Sequence, residues 1–302
     1  MGAMARAADL SGFLRSRRAA LTPAEVGLPR NSNARRVQGL RREEIAMLAG
    51  VSVDYYTRLE QGRAPNVSAQ VLSAVADALR LDGMERRHLF DMAQPGTAPV
   101  QPTKIGPRKA RPAMRMMMDA LDPTPAVLHG PCLEVVAINR MGKVLFDDFD
   151  AMPPGERNTA RWMFLNPRAR VVFPDWEEIG SQMAAILRLT AGRVSVGPPE
   201  HRASMARLVD DLCSRSEEFA RVWAEHRIFQ HTHGTKRFRH EAVGIMMINY
   251  ESLIPPADPG LTLTLYTADT GSPSEEKLRA LADWAANRDA AAGAGSENRP
   301  AR

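Results

Sequence analysis

The sequence predicts an all-α N-terminal domain of five helices, followed by an α+β domain whose antiparallel sheet has about five strands. Three observations support this fold class. Apolar residues recur at helical spacing as far as residue 94. Residues 95–112 contain five prolines and no apolar periodicity, which is typical of a linker. Beyond them, β-forming runs near residues 126–138 and 235–268 flank several helical patterns.

The N-terminal domain is predicted to begin with a helix capped by Asp9. In this helix, Leu10, Phe13 and Leu14 form an apolar stripe. Further capping signals predict a single turn at Thr22, Pro23 and Glu25, a helix that starts at Ser68, and a fifth helix opened by Asp82 with Glu85. The domain is expected to close near Gln94.

Residues 41–63 are the most informative stretch of this domain. Their apolar residues are spaced for one buried face on each of two helices, namely Ile45, Leu48 and Ala49, then Tyr56 and Leu59. Between the two helices, Gly50 can adopt the left-handed conformation that ends a helix, and Ser52 is a good N-cap. The stretch therefore predicts a helix-turn-helix, with an ordinary helical hairpin as the alternative.

The order of small, turn, capping and core residues in this stretch resembles the Cro and phage-repressor class of DNA-binding domains, the XRE family. The positions that carry the resemblance are Ala46, Gly50, Val51, Ser52, Tyr56, Leu59, Glu60 and Gly62. The resemblance implies that the second helix lies in the major groove of a double-stranded DNA operator. It also implies a homodimer on a pseudo-palindromic site.

The residues expected to contact DNA lie on this second helix and on the basic segment before the motif. They are Arg35, Arg36, Arg41, Arg42, Ser52, Val53, Asp54, Tyr55, Thr57 and Arg58. Arg58 can grip a guanine edge, Asp54 can accept from cytosine, and Val53 can touch a thymine methyl group. Ser52 and the nearby backbone amides are expected to hold phosphate. Two alternatives stay open, namely an intrahelical ion pair for Arg58 and a capping role for Asp54.

Charge and composition narrow the class of protein. Residues 1–42 carry nine arginines against Asp9 and Glu25, a net charge of +7, within a chain whose formal net charge is +5. Such a basic segment is an electrostatic footprint for a polyanion. Cys132 and Cys213 are expected to be buried thiols rather than a redox pair. No apolar run approaches the ~20 residues of a membrane span and no signal peptide is evident, so we expect a cytoplasmic, nucleoid-associated protein with no membrane partner.

The second domain is predicted from residue 113 to 288, and residues 289–302 are predicted to be a disordered tail. A helix at 114–121 precedes a hairpin of residues 126–129 and 133–138, and Asn139 starts a short helix that ends at Phe146. Four further helices are predicted at 158–165, 176–189, 201–213 and 217–226. Three strands follow at 235–240, 243–253 and 261–268, and then a last helix at 274–287.

Both domains together resemble the bacterial MmyB-like transcriptional regulators. The resemblance is carried by LRSRRAALTPAEVGLP, GLRREEIAMLAGVSVDYYTRLEQGR and ADALRLDGMERRHLFDMA in the first domain. In the second domain it is carried by PAVLHG, VVAINRMGKVLF, ERNTARWMFLNP, DWEE, SEEFARVWAEH, KRFRHEAVG and NYESL. It implies a PAS-like second domain that holds an elongated apolar ligand such as a fatty acid. Glu241 and Ala242 depart from the family, which usually has proline after the histidine at position 240.

The ligand candidates are the large aromatic residues and four polar residues of the second domain. The aromatic candidates are Phe146, Trp162, Phe164, Trp176, Phe219 and Trp223, and the polar candidates are Asn139, Arg157, Asn158 and His226. Large rings line apolar pockets, but they also fill cores, and both interpretations stay open. Arg157 matches a carboxylate head group, although an ion pair with Glu156 is an equal alternative.

No catalytic or metal-binding constellation emerges from the sequence. His231 and His233 can point to one face of a strand, but no third ligand has a suitable spacing, so no metal is predicted. Nucleophile-elbow, phosphate-loop and dinucleotide patterns are also lacking, so we expect no enzymatic activity and no cofactor beyond a fatty-acid-like effector. The leading hypothesis is a transcriptional regulator tuned by such an effector. The alternative is a regulator whose second domain serves only dimerisation or protein interaction.

Overall fold

The computed structural model describes residues 2–28, 39–64, 66–93, 109–194, 199–258 and 260–297. Its helices are α1 (Gly2–Ala20), α2 (Arg42–Leu48), α3 (Val53–Glu60), α4 (Ala69–Ala78), α5 (Gly83–Ala93), α6 (Pro112–Ala120), α7 (Arg140–Leu145), α8 (Thr159–Leu165), α9 (Arg168–Val172), α10 (Trp176–Val194), α11 (Pro199–Arg215), α12 (Glu217–Ala224) and α13 (Pro273–Glu297). Its strands are β1 (Ala126–His129), β2 (Val135–Ile138), β3 (His233–His240), β4 (Gly244–Leu253) and β5 (Thr262–Thr267).

The chain forms two compact units, and each unit contains two separate stretches of the chain. The division therefore does not fall simply at the predicted linker. The first unit comprises Met1–Pro102 and Ala184–Gln230, and the second comprises Thr103–Met183 and His231–Arg302. The boundary between residues 183 and 184 falls within α10. Residues 184–230 therefore lie in the same compact unit as the N-terminal helices, while the sequence pattern predicts them within the second domain. The predicted linker lies mostly outside the described residues.

Helices α1 to α5 confirm the predicted all-α N-terminal domain. Their core contains the predicted apolar faces and includes Leu10, Phe13, Leu14, Ile45, Ala46, Tyr56, Leu59, Leu72, Val75 and Leu89. The predicted caps are also present, because the hydroxyls of Ser52 and Ser68 accept backbone N–H groups at 3.1 and 3.3 Å. A single 3₁₀ turn, Ala24–Val26, follows Thr22 as predicted, and the Glu25 carboxylate accepts from the Thr22 backbone at 2.6 Å.

Two predictions in this domain are wrong. Asp9 lies inside α1, which starts at Gly2, because the alanine-rich residues before Asp9 are good helix formers and continue the helix upstream. Leu48 is 37 % exposed, whereas Ile45 and Ala49 are buried. The buried face of α2 is centred on Ile45, Ala46 and Ala49, and Leu48 lies at its edge.

The later helices of the first unit pack against α1. The Arg188 guanidinium of α10 lies 3.9 Å from the Asp9 carboxylate, and the Ser16 hydroxyl donates to the Glu225 carbonyl at 2.8 Å. The His226 ring lies directly over Gly12, where an added Cβ would come within 2.1 Å of Cε1. Any larger residue at Gly12 would therefore displace this ring.

The second unit is built on an antiparallel sheet in the order β2-β1-β5-β4-β3, which confirms the predicted five strands. Strand register pairs Lys236 with Ile248 and Tyr250 with Tyr266. One apolar cluster contains Met118 of α6 with Ala126, Leu128, Ala137, Leu261 and Leu263. Because side chains alternate along a strand, Lys236, Phe238, Tyr250 and Tyr266 occupy positions of the opposite face.

Three details of the second unit go beyond the prediction or differ from it. Helix α9 has no counterpart in the predicted elements. Helix α13 continues to Glu297, past Arg288, because the Ala290–Ala292 run favours helix where a disordered tail is predicted. At Glu241 and Ala242, β3 and β4 form a regular hairpin, closed by a Val243 N–H that donates to the His240 carbonyl at 3.3 Å.

The buried carboxylate of Glu60 joins α1, α2 and α3 of the helix-turn-helix domain. Glu60 has no exposed surface, and it accepts from Arg18 Nε at 2.7 Å and Arg42 Nε at 2.8 Å. Arg18 also donates to the Leu40 carbonyl at 2.6 Å. Burial alone would raise the pKa of Glu60, but the hydrogen bonds from the two guanidinium groups lower its pKa overall.

We predict that Glu60→Ala lowers the free energy of unfolding by about 3 kcal/mol, because it leaves two guanidinium groups without their anion in a largely buried site. Urea unfolding of the full chain at neutral pH measures this change. Glu43→Ala is the matched control, since Glu43 is exposed in the first turn of α2 and its loss should cost less than about 1 kcal/mol. Equal effects of the two substitutions would contradict the role assigned to Glu60.

Candidate functional site

Helix α3 presents a largely polar, solvent-exposed face that runs from its first turn to its last turn. Val53 is 44 % exposed, and the side chains of Asp54 and Arg58 are 79 % and 56 % exposed. Tyr55 and Thr57 are partly buried beside them. Asp54 Oδ2 and Arg58 Nη2 lie 3.0 Å apart, which is the intrahelical ion pair left open by the sequence. Such an exposed pair contributes less than about 1 kcal/mol, so a base edge can compete for either side chain.

The basic residues before α3 have different roles. Arg41 is exposed at the start of α2, where its backbone N–H donates to Glu44 Oε2 at 2.6 Å. Arg42 is partly exposed and pairs with Glu60, so it holds α2 and α3 together. Arg35 and Arg36 lie outside the described residues. Of the described arginines of this segment, Arg41 is therefore the exposed one, whereas Arg42 is engaged with Glu60.

The polar ligand candidates of the second unit are occupied by the fold itself. Asn139 caps α7, and its amide makes four hydrogen bonds, to the backbone of Ala126, Gly142, Met118 and Thr124. Asn158 caps α8 and donates to the Cys132 carbonyl at 2.7 Å. Arg157 donates to the carbonyls of Met152 and Asp150 rather than pairing with Glu156. These three side chains hold loops in place, and the Asn139 amide has no group left for a ligand.

The aromatic candidates fall into two separate groups. In the second unit, Phe146 and Trp162 pack with Phe173, Phe238 and Tyr266, and these five side chains are here called the ring cluster. The centroids of neighbouring rings in it are 4.8–6.2 Å apart. Phe164 packs edge-on against Trp176 at 5.8 Å in the same unit. Indole N–H groups are satisfied, since Trp162 donates to Asp147 and Trp176 to the Met163 carbonyl.

Phe219, Trp223 and His226 belong instead to the first unit. The Phe219 and Trp223 rings stack at 5.4 Å, and the Arg188 guanidinium lies 3.8 Å from the Trp223 ring centroid. Burial lowers the pKa of His226 to about 4, and nearby arginines lower it further in the same direction. The sequence predicts one set of ligand residues, but the structure places these three in the first unit, with His226 over Gly12 of α1. An amphipathic pattern does not specify the helix against which it packs.

The sequence reasoning missed a polar cluster on the sheet. Lys236 is only 8 % exposed, and its Nζ lies 3.0 Å from His231 Nε2 and 4.6 Å from the Tyr250 ring centroid. The His231 ring stacks on Tyr250 at 3.8 Å, and His231 Nδ1 lies 3.0 Å from Ser252 Oγ. Strand alternation could have revealed this cluster, because Lys236 shares its face with the buried Phe238 and His240.

The hydrogen-bond directions in this cluster argue against a nucleophilic serine. A protonated lysine can only donate, so Lys236 donates to Nε2 of His231, and the neutral ring must carry its proton on Nδ1. Nδ1–H then donates to Ser252 Oγ. A histidine in this tautomer cannot accept the serine proton, which is the step that a catalytic serine needs.

Residues 110–281 match the family model of the MmyB-like transcription regulator ligand binding domain. The chain belongs to the MmyB-like transcription regulators. Residues 9–89 match a helix-turn-helix domain model. No curated protein matches the chain significantly. An MmyB-like regulator thus combines a DNA-binding helix-turn-helix with a ligand-binding domain, and both domain types point to regulation rather than catalysis.

The MmyB-like domain match includes residues that belong to the first compact unit. Residues 184–230 fall inside the matched range 110–281, and their helices contact α1 of the helix-turn-helix domain through Asp9, Gly12 and Ser16. Part of the ligand-binding domain, as defined by the family, is therefore packed directly on α1 of the helix-turn-helix domain.

Within the part of this regulator that the structure describes, no helix combines the length and apolarity needed to cross a membrane. The same residues contain no group of three potential metal ligands. His233 is exposed, whereas His231 is engaged with Lys236 and Ser252.

Burial sets the protonation of the polar cluster in the MmyB-like domain. Removal from water lowers the pKa of Lys236 to about 8, so the side chain is still mostly protonated at neutral pH. Burial, reinforced by the charge of Lys236, lowers the pKa of His129 to about 4 and lowers that of His231 far below its ordinary value. The cluster therefore carries one buried positive charge and neutral imidazoles.

We predict that the stability difference between the wild type and Lys236→Met depends on pH above 8. The folded lysine loses its proton near pH 8 and the unfolded one near 10.5, so the unfolded state binds more protons in this window. Wild-type stability should therefore rise relative to the variant from pH 8 to 10.5, by up to about 3 kcal/mol.

Urea unfolding at several pH values measures this difference, and ionisation of the tyrosines cancels because both proteins contain them. Lys109→Met, at an exposed lysine, is the control and should show no such trend. A constant difference between the wild type and Lys236→Met across the window would contradict the burial of a charged ammonium group.

Proposed function

We propose that the protein regulates transcription by binding operator DNA through α3, with an affinity tuned by a fatty-acid-like ligand in its MmyB-like domain. The observation that carries the proposal is the exposed face of α3, held on a rigid frame by the buried Glu60 cluster. A matched ligand-binding domain in the same chain supports control by a small molecule.

DNA recognition is proposed to use the exposed face of α3, from Val53 to Arg58, in the major groove. Arg58 reads a guanine after exchanging Asp54 for the base edge, and Val53 contacts a thymine methyl group. Ser52 and Arg41 hold phosphate and fix the register of the helix. We propose a homodimer on a pseudo-palindromic operator, with recognition helices about one DNA turn apart.

The ligand is proposed to be an elongated apolar molecule that contacts the ring cluster. Five aromatic side chains on one side of the sheet offer the apolar contacts that a hydrocarbon chain needs. Coupling requires a ligand that binds one arrangement of the regulator better than another. The contacts of residues 184–230 with α1 provide a route, because changes in α10 and α12 bear directly on Asp9 and Ser16.

We predict that Arg58→Ala weakens operator binding by about 1 to 3 kcal/mol and relaxes specificity at one base position. Binding to a library of single-base operator variants at fixed salt measures both effects. Arg87→Ala, at an exposed arginine of α5, is the matched control and should leave the base preference unchanged. A loss that is equal on every sequence would assign Arg58 to phosphate contact instead.

The double variant Arg35→Ala with Arg36→Ala should weaken binding similarly on all sequences. It should also reduce the dependence of affinity on salt, because binding with fewer phosphate contacts releases fewer counterions. Titrations of operator and unrelated DNA at several salt concentrations measure this change. A loss confined to the operator would contradict a backbone role for these arginines.

We predict that one class of medium- or long-chain fatty acid changes operator affinity by about 5- to 150-fold, the usual range of allosteric coupling. Fluorescence anisotropy with an operator selected from random DNA, with and without a panel of fatty acids, measures the change. Indifference of operator binding to every ligand would favour the alternative, in which the second domain serves dimerisation or protein interaction.

A further inference from the structure

We propose that Lys236 is the anion anchor of the ligand site and that it pairs with the carboxylate of a long-chain monocarboxylic acid. This proposal rests on the proposed function, because it assumes that the MmyB-like domain binds an amphiphilic ligand. It adds the residue that selects an acid over a neutral molecule of the same shape.

The ammonium group of Lys236 lacks a carboxylate partner. Among the described residues, no Asp or Glu oxygen forms an ion pair with Nζ, and its one hydrogen-bond acceptor is a neutral imidazole of His231. Glu178 acts on it only through its electric field and is exposed. Buried charges in proteins are normally paired, so a buried ammonium with donors to spare is a site for an anion.

The surroundings of Lys236 favour a single negative charge. Its neighbours His231 and Tyr250 contact the lysine as neutral groups, and Ser252 and Thr264 continue the polar cluster with hydroxyl oxygens 3.3 Å apart. One cation among neutral polar groups compensates one anion, which matches a carboxylate better than a doubly charged phosphate. The predicted partner for a carboxylate, Arg157, donates instead to two backbone carbonyls.

The same strands join this cation to the ring cluster. Phe238 follows Lys236 by two positions on the same face of β3, and Tyr266 pairs directly with Tyr250 in the sheet register. The Phe238 and Tyr266 ring centroids are 5.9 Å apart. A carboxylate held at Lys236 would therefore place its hydrocarbon chain beside these rings, and the site would distinguish both ends of an amphiphile.

The test compares saturated acids, from decanoic to hexadecanoic acid, with the primary alcohols of equal length. Calorimetric titration of the full chain should show that the wild type binds each acid more tightly than its alcohol. Lys236→Met should weaken acid binding by about 10- to 100-fold and leave alcohol binding nearly unchanged, since one charge-assisted hydrogen bond is lost. Lys236→Arg should restore part of the preference, and Lys109→Met should leave it intact.

The results of this experiment distinguish failure of Lys236 as the anchor from failure of the proposed ligand-binding function. Binding of acids and alcohols with equal affinity by the wild type, or an acid preference that survives in folded Lys236→Met, would overturn the anchor and leave the ligand-binding function standing. If no acid or alcohol binds the wild type, the proposed function fails and the anchor fails with it.

A second measurement on the wild type keeps the proposal testable if Lys236→Met does not fold. The carboxyl carbon of a bound ¹³C-labelled acid, followed by NMR during a pH titration, reports the protonation state of the head group. A neighbouring ammonium should hold the carboxylate ionised below the ordinary pKa of the free acid. A bound acid that is already neutral near pH 6 would overturn the anchor.

Discussion

The packing of the first unit depends on the buried negative charge of Glu60, which two arginines compensate. Glu60 has no exposed surface, and its ion pairs with Arg18 and Arg42 connect α1, α2 and α3. This cluster ties α3 to α1 and α2, while Val53, Asp54 and Arg58 lie on the exposed face of α3. The second unit contains the opposite case, because Lys236 is buried with a neutral histidine and a tyrosine ring but has no ion-paired acid among the described residues. The compensated charge supports a rigid frame, whereas the uncompensated charge supports a site that gains stability when an anion binds.

The helices after residue 184 give this regulator a physical connection between its two family domains. The family match assigns them to the ligand-binding domain, while their contacts place them in one compact unit with α1. Arg188 is central to these contacts, since it stacks on Trp223 and faces Asp9, and burial lowers its pKa to about 10. Ser16 and Arg17 bind the carbonyls that follow α12, those of Glu225 and His226. These contacts join part of the family's ligand-binding domain to the first helix of the helix-turn-helix domain.

The sequence was sufficient for most of the fold and for less of the ligand site. Gly50 and Ser52 carry local conformational and capping signals, so the motif was predictable. Runs of β-forming residues located all five strands within about two residues of their observed ends. The ligand site depends on how distant elements pack, which periodicity does not specify. Asn139 therefore was predicted as a ligand residue although it is a saturated helix cap, and Phe219 was grouped with Phe146 although the two belong to different units. Lys236 was missed because a lysine in a strand is usually exposed.

Control of DNA binding by a ligand is tested most directly by asking whether ligand and operator change each other's binding affinity. Linkage requires that operator DNA change the affinity for the fatty acid by the same factor by which the fatty acid changes operator affinity. Calorimetric titration of the acid into the free regulator and into the regulator saturated with operator measures this factor. We predict that the acid affinities measured in the two titrations differ by about 5-fold or more. Identical acid affinities for free and DNA-bound protein would contradict the claim that the ligand tunes DNA binding.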